Sequence, residues 1–213
     1  MGEARFAYPI FLSIRDRTCV VVGGGKVGER KVNGLLEAGA CVRVVSPETT
    51  EHLAQLAKAG KIELVPRPFA EGDLKDAVLV FAATDHPEVN REVAAEAESI
   101  RALSNVSDAS VEGDFVLPSV VERGIIRVAF STGGASPAYA RLIRERLEDL
   151  LGPEQEELVE LCERLRPEVM ARFPDDGDRR RCVWDRLVTW ETIELIRQRK
   201  WDEIEEKVAA CLS

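Results

Sequence analysis

Between residues 18 and 107 the chain alternates two kinds of apolar run. "TCVVVGG" is continuous, β-branched and ends in glycines, so it predicts a strand buried on both faces. "GERKVNGLLEAG" carries Val32, Leu35 and Leu36 at helical spacing and stops at Gly39. A strand "CVRVVS", a helix "TTEHLAQLAKAGK" with Leu53, Leu56 and Ala57 on one face, and a strand "KIELVPR" follow. Next come a fully apolar strand "AVLVFAAT", a helix "DHPEVNREVAAEAE" with Pro87 in its first turn, and a shorter strand "RALSNVSD". Strands alternating with helices predict an α/β fold of the Rossmann kind, a parallel sheet with helices on both faces.

The texture changes after about residue 113. "DFVLPSVVERGIIRVAFST" is two apolar runs about Gly124, which predicts a β hairpin or arm, and a helix from Ser136 follows with Ala140, Ile143 and Leu147 on one face. From Gly152 the pattern is helical and polar. "EQEELVELCERLRPEVMARF" and "DRLVTWETIELIRQRKWDEIEEKVAACL" are separated by a loop, "PDDGDRRR". Three domains are expected: 1–113 for the parallel sheet, 114–151 for the arm and its helix, and 152–213 for the helical tail.

Charge changes the picture. With 29 lysines and arginines against 38 acids the net charge is −9, which argues against nucleic acid or a membrane surface as partner. An anionic ligand would need a locally basic site. No apolar run is long enough to span a bilayer and the first residues lack a signal-peptide layout, so the expected location is the cytoplasm. The five cysteines are scattered, with no C-x-x-C pair, and are expected to be reduced. His52 and His86 lie far apart in sequence, and no preformed metal site is expected.

Candidate chemistry begins at Gly23-x-Gly25-x-x-Gly28, which closes the first strand and opens the first helix. In a dinucleotide fingerprint the first glycine permits the turn, the second lets the pyrophosphate approach the backbone, and the third lets helix pack on sheet. Ser46 and Pro47 end the second strand, and Glu48 is the nearest acid. Glu48 is either the ribose ligand or a solvated charge before a helix. No arginine stands just beyond this strand to favour a 2′-phosphate, so NAD is expected rather than NADP. Thr84 and Asp85 end the fourth strand at the carboxyl edge, where such folds bind ligands, and the Asp85 side chain is expected to cap the next helix. Asn105 and Asp108 end the fifth strand. Asp108 is either a base near the nicotinamide end or one side of an Asx turn.

Taken in order, "YPIFLSIRDRTCVVVGGGKVGERK", "VFAATDHPEVN", "SNVSDAS", "GDFVLPSVVERG" and "STGGASPAYARLIRERLE" resemble the precorrin-2 dehydrogenase and sirohydrochlorin ferrochelatase family, the N-terminal module of sirohaem synthase. The resemblance covers residues 8 to about 150 and is looser in the tail. It implies NAD-dependent oxidation of precorrin-2 to sirohydrochlorin, in some relatives followed in the same site by ferrous insertion, and it implies a homodimer built from the β arm and the helix after it. It assigns the reaction to Asp108, and cofactor contact to Lys26, Val27, Pro47 and Glu48. Some relatives carry a phosphorylatable serine where Thr132 stands.

The resemblance also gives the second glycine turn a use. Ser131, Thr132, Gly133, Gly134 and Ser136, at the start of a helix that carries Arg141, form a turn suited to the carboxylates of a tetrapyrrole. Arg123, Arg127, Arg141, Arg144 and Arg146 reverse the local charge, although at least two are expected to be ordinary solvated helix charges. A non-catalytic NAD-sensing module and a dehydrogenase of another polyanion are the rival readings. A sensor has no need of a second anion-binding turn.

Overall fold

The first apolar run becomes β1 (Thr18–Gly24) in the computed structural model, which describes residues 8–107 and 113–212. After it come α1 (Lys26–Glu37), β2 (Cys41–Thr49), α2 (Glu51–Lys58), β3 (Glu63–Val65), β4 (Leu79–Ala82), α3 (Pro87–Ser99) and β5 (Leu103–Val106). All strand pairs are parallel and the order is β3-β2-β1-β4-β5. The order reverses between β1 and β4, which creates the switch-point crevice at their carboxyl ends. Alternation along each strand divides the core. Cys19, Val21, Val42, Val44 and Phe81 face Val32 and Leu35 of α1 and Leu53 of α2, whereas Val20, Val22, Val45 and Val80 face Val93 and Ala97 of α3. Helices therefore cover both faces, as the sequence pattern predicts.

Local chemistry sets the ends of these elements. Gly39, at φ 78°, ends α1 by donating its N–H to Leu36 while Ala40 donates to Leu35. Thr50 caps α2 through its side chain, and Pro87 opens α3. Several boundaries differ from the expectation, those of β2 and β3 among them. β2 runs three residues past Ser46 to Thr49, because Gly24 pairs with Thr49 beyond an irregularity in β1, and β3 shrinks to three residues at the sheet edge.

The chain divides at Leu117 and Pro118 into two compact units. In the second unit β6 (Ser119–Arg123) and β7 (Ile126–Phe130) form an antiparallel hairpin. Its two-residue loop begins with Gly124 at φ 53°, which a first loop position of this kind requires. α4 (Pro137–Leu150) follows, capped by Ser136, whose hydroxyl accepts from the N–H of Tyr139. The tail holds α5 (Pro153–Arg172), α6 (Gly177–Leu187), α7 (Trp190–Arg197) and α8 (Trp201–Leu212). The second long helical pattern thus breaks into three helices, and the first of them already begins inside the expected loop. Asp176 caps α6, Thr189 caps α7, and Arg199, at φ 58°, reverses the chain before α8. Among the described residues no helix is long and apolar enough to cross a membrane.

The long connection from β3 to β4 is pinned by one ion pair. Arg67 grips both oxygens of Asp73 at 2.7 and 2.6 Å, and the same carboxylate accepts from the N–H of Ala70 at 2.8 Å. The guanidinium holds the Asp73 carboxyl below the ordinary carboxylate range. Stability from this pair is therefore present above the ordinary aspartate pKa and is lost as pH falls through the lowered folded value. Asp73→Asn should lower stability near pH 7 and narrow its gap to wild type as the pH drops towards 3. Urea unfolding of both proteins across that range checks this, and a gap constant with pH would contradict it.

Candidate functional site

At the switch point three backbone segments meet. A Cβ on Gly23, which lies at φ 115°, would stand 2.4 Å from the carbonyl oxygen of Ala83 after β4. A Cβ on Gly28 would stand 2.0 Å from the carbonyl oxygen of Gly23, so α1 sits directly on the turn. Gly25 is different: an added Cβ there would meet nothing within 4 Å. Gly25 is also the N-cap of α1 and no side chain caps the helix. The first-turn N–H groups, at Lys26, Val27 and Gly28, follow this open position at the positive end of a helix dipole. These residues fit the pyrophosphate of a dinucleotide.

The β2 edge lies on one side of this turn. Ser46 is buried and its hydroxyl donates to the carbonyl of Glu48 at 2.6 Å, so it shapes the chain here. Pro47 and Glu48 are exposed, and the Glu48 carbonyl backs against Gly24.

On the β4 side a clamp appears that the sequence reading missed. Asn90, 1% exposed, accepts from the Thr84 N–H at 3.3 Å and hydroxyl at 2.7 Å, and donates to the Thr84 carbonyl at 3.0 Å. The signal was an amide on the apolar face of α3 with Val93 and Ala97, where a buried polar group must find partners. Asp85 does not cap α3. His86 is the N-cap residue, no side chain caps the helix, and the Asp85 carboxylate is almost fully exposed beside His86.

At the β5 edge, Asn105 stands opposite Phe81 of β4. Its amide donates to the Phe115 carbonyl at 2.8 Å and its oxygen accepts from Lys31 Nζ at 3.4 Å. Phe115 meets Phe81 edge to face, and Ser104 donates to Asp114 from both N–H and hydroxyl at 2.8 Å. Asp108 lies outside the described residues.

In the second unit the turn before α4 has Gly133 and Gly134 at φ 61° and 80°, each with open space where a Cβ would go. The hydroxyls of Ser131, Thr132 and Ser136 accept from the N–H groups of Gly133, Ser136 and Tyr139. Each hydroxyl keeps its own proton to donate. Of the five arginines, Arg123 donates to the Leu151 carbonyl, Arg127 pairs with Glu122 and Arg144 with Glu148. Arg141 and Arg146 are exposed and have no acidic partner among the described residues.

Family comparisons divide the chain in the same sequence order. Residues 10–119 match a family described as "Putative NAD(P)-binding", 124–150 match "Sirohaem biosynthesis protein central", and 156–212 match "Sirohaem synthase dimerisation region". The siroheme synthase of Thioalkalivibrio sulfidiphilus is 40% identical over 205 residues, which is 96% of this chain and 42% of that protein. That of Chromobacterium violaceum is 42% identical over 87% of this chain and 38% of its own length. The chain thus spans about two fifths of the curated relatives it matches. A solved structure of SirC, a precorrin-2 dehydrogenase, superposes with a TM-score of 0.77 at 24% identity, over 94% of this chain and all of that one. It shares the fold.

The Asn90 clamp makes a prediction. Asn90→Ala should cost about 1–3 kcal/mol, because Thr84 loses partners in a partly buried setting, and should also weaken dinucleotide binding by loosening the β4 edge. Urea unfolding and a dinucleotide titration check both effects. Unchanged stability would remove the clamp's role.

Proposed function

The chain belongs to the family of NAD(P)-binding modules found in siroheme synthases, and on that premise we propose that it oxidises precorrin-2 to sirohydrochlorin with NAD. One observation carries the reading. An NAD(P)-binding region and two sirohaem regions follow one another along a chain whose first region folds around an open glycine cradle at the carboxyl edge of a parallel sheet.

In this reading the backbone from Gly23 to Gly28, with Lys26 and Val27, holds the pyrophosphate. Glu48 accepts from the adenosine ribose, which favours NAD over NADP. Thr84 and Asp85 flank the cofactor at the β4 edge, with Ser46 and Pro47 shaping the β2 edge. Bound NAD supplies a hydride acceptor. The substrate then gives up one hydride and one proton as the new double bond forms. We assign the proton to the Asp108 carboxylate. Asn105 belongs to the same edge. The turn of Ser131, Thr132, Gly133, Gly134 and Ser136, with Arg141, is assigned to substrate carboxylates by chemistry, since it offers hydroxyl protons, backbone N–H groups and a guanidinium with no acidic partner among the described residues.

A homodimer is part of the proposal. α4 buries none of its residues, and Val120, Ile125, Tyr139 and Leu142 are exposed on the hairpin and helix, an apolar surface that a second copy would cover. The match of 156–212 to a dimerisation region supports the same state.

Anaerobic incubation with precorrin-2 and NAD should yield NADH and the sirohydrochlorin spectrum together. NAD binding without NADH formation would favour the sensor reading instead. Asp108→Ala should lower the rate about a hundredfold or more, and near-normal NADH production would remove Asp108 from the chemistry. Wild type should bind NAD more tightly than NADP. Glu48→Gln should narrow that preference by about tenfold, the loss of one charged hydrogen bond, as measured by titration with each dinucleotide.

A further inference from the structure

Among the described residues Lys31 is a cation with no acidic partner. It stands on α1 just past the glycine cradle, is partly buried, and sends its ammonium to 3.4 Å from Asn105 Oδ1 and 5.5 Å from the centre of the Phe81 ring. The chain has 38 acidic residues, yet none of those described pairs with Lys31, whereas Lys200 and Lys207 each reach a glutamate. A ring face and one amide oxygen compensate only part of the hydration the ammonium gives up. Burial accordingly draws its pKa below the ordinary lysine value. Of its three N–H donors one is used on Asn105, and no other acceptor among the described residues takes the remaining two. A lysine that merely covered apolar surface would send its head to water. This one crosses the sheet face to the end of β5.

The location indicates the ligand. With the pyrophosphate on the start of α1 and the adenosine ribose at the β2 edge, the nicotinamide end must extend over β4 and β5. The substrate has to meet it there, and Asn105 holds the Lys31 ammonium at that edge. We propose that Lys31 is a substrate-binding residue that pairs with one carboxylate of the polycarboxylated tetrapyrrole, held in place by Asn105 and the Phe81 ring. The identity of the ligand rests on the dehydrogenase reading above.

Sirohydrochlorin, titrated without NAD and followed by its own absorbance, tests this apart from turnover. In Lys31→Met, which keeps an apolar stem over Phe81, the Kd for sirohydrochlorin should rise about tenfold to a hundredfold, as expected for the loss of one hydrogen bond between charged groups. Lys31→Arg should restore most of that affinity. The Kd for NAD should stay at the wild-type value in both, and in turnover the KM for precorrin-2 should rise in Lys31→Met with kcat held. Equal sirohydrochlorin affinity in Lys31→Met and wild type, or a loss confined to NAD, would overturn the assignment. If Lys31→Met does not fold, Lys31→Gln in the same titration decides on the same criteria. A wild type that binds sirohydrochlorin but makes no NADH from precorrin-2 would sink the dehydrogenase reading alone. A wild type that does not bind sirohydrochlorin would overturn both.

Discussion

The approach of three backbones at the switch point is the constraint on which the first unit depends. The end of β1 touches the chain after β4 through Gly23, touches β2 through Gly24, and carries the start of α1 through Gly28. At each of these positions a Cβ would fall within 2.4 Å of a carbonyl oxygen, a distance that no relaxation of a flexible side chain can relieve. Gly25 lies among them with open space where its Cβ would point. Packing inside the protein accounts for three of the four glycines and leaves the fourth to something outside it. That contrast separates a dinucleotide cradle from a turn that is merely rich in glycine.

How much of this was legible follows from which residues face one another. β1 and β4 read plainly as strands because both faces are buried, giving unbroken apolar runs. β3 is harder to bound, since an edge strand pairs on one side alone. The missed clamp came from residue type: Asn90 lies at a core position of α3, where periodicity looks for apolar residues, and its partners are six residues away in sequence. Asp85 failed as a cap by one residue of register. Pro87 begins the helix, so the capping position falls on His86. In the tail, apolar spacing continues across the breaks at Thr189 and Arg199 and hides them, whereas the cap that marks the first, Thr189, is a single polar residue in a charged sequence.

The electrostatics of the acidic chain follow a similar division. A tally of arginines between 123 and 146 overstates the charge offered to a ligand, because Arg123 serves a helix carbonyl and Arg127 and Arg144 are answered by glutamates. Exposed pairs of this sort contribute little to stability. They do subtract from the cations available for binding, and Arg141 and Arg146 are what remains in that segment. Lys31 belongs with them by the same criterion, although nothing in its sequence context distinguishes it from a solvated helix lysine.

Asn105 shows why the distinction matters. Read from sequence, it is a free amide at the end of a strand, ready to contact a ligand. In the fold its oxygen is committed to Lys31 and one amide proton to Phe115, whose ring is in turn held against Phe81. These bonds fix which way the amide points, so Asn105 acts chiefly by tying α1 to the chain that returns at Gly113, Asp114 and Phe115. Gly113 packs closely on Ser104, with a Cβ position 2.9 Å from its carbonyl oxygen, so the backbone at Gly113 itself has little room. The carboxyl edge of β5 is therefore a braced corner, and recognition there falls to the groups whose hydrogen-bonding capacity the brace leaves unused.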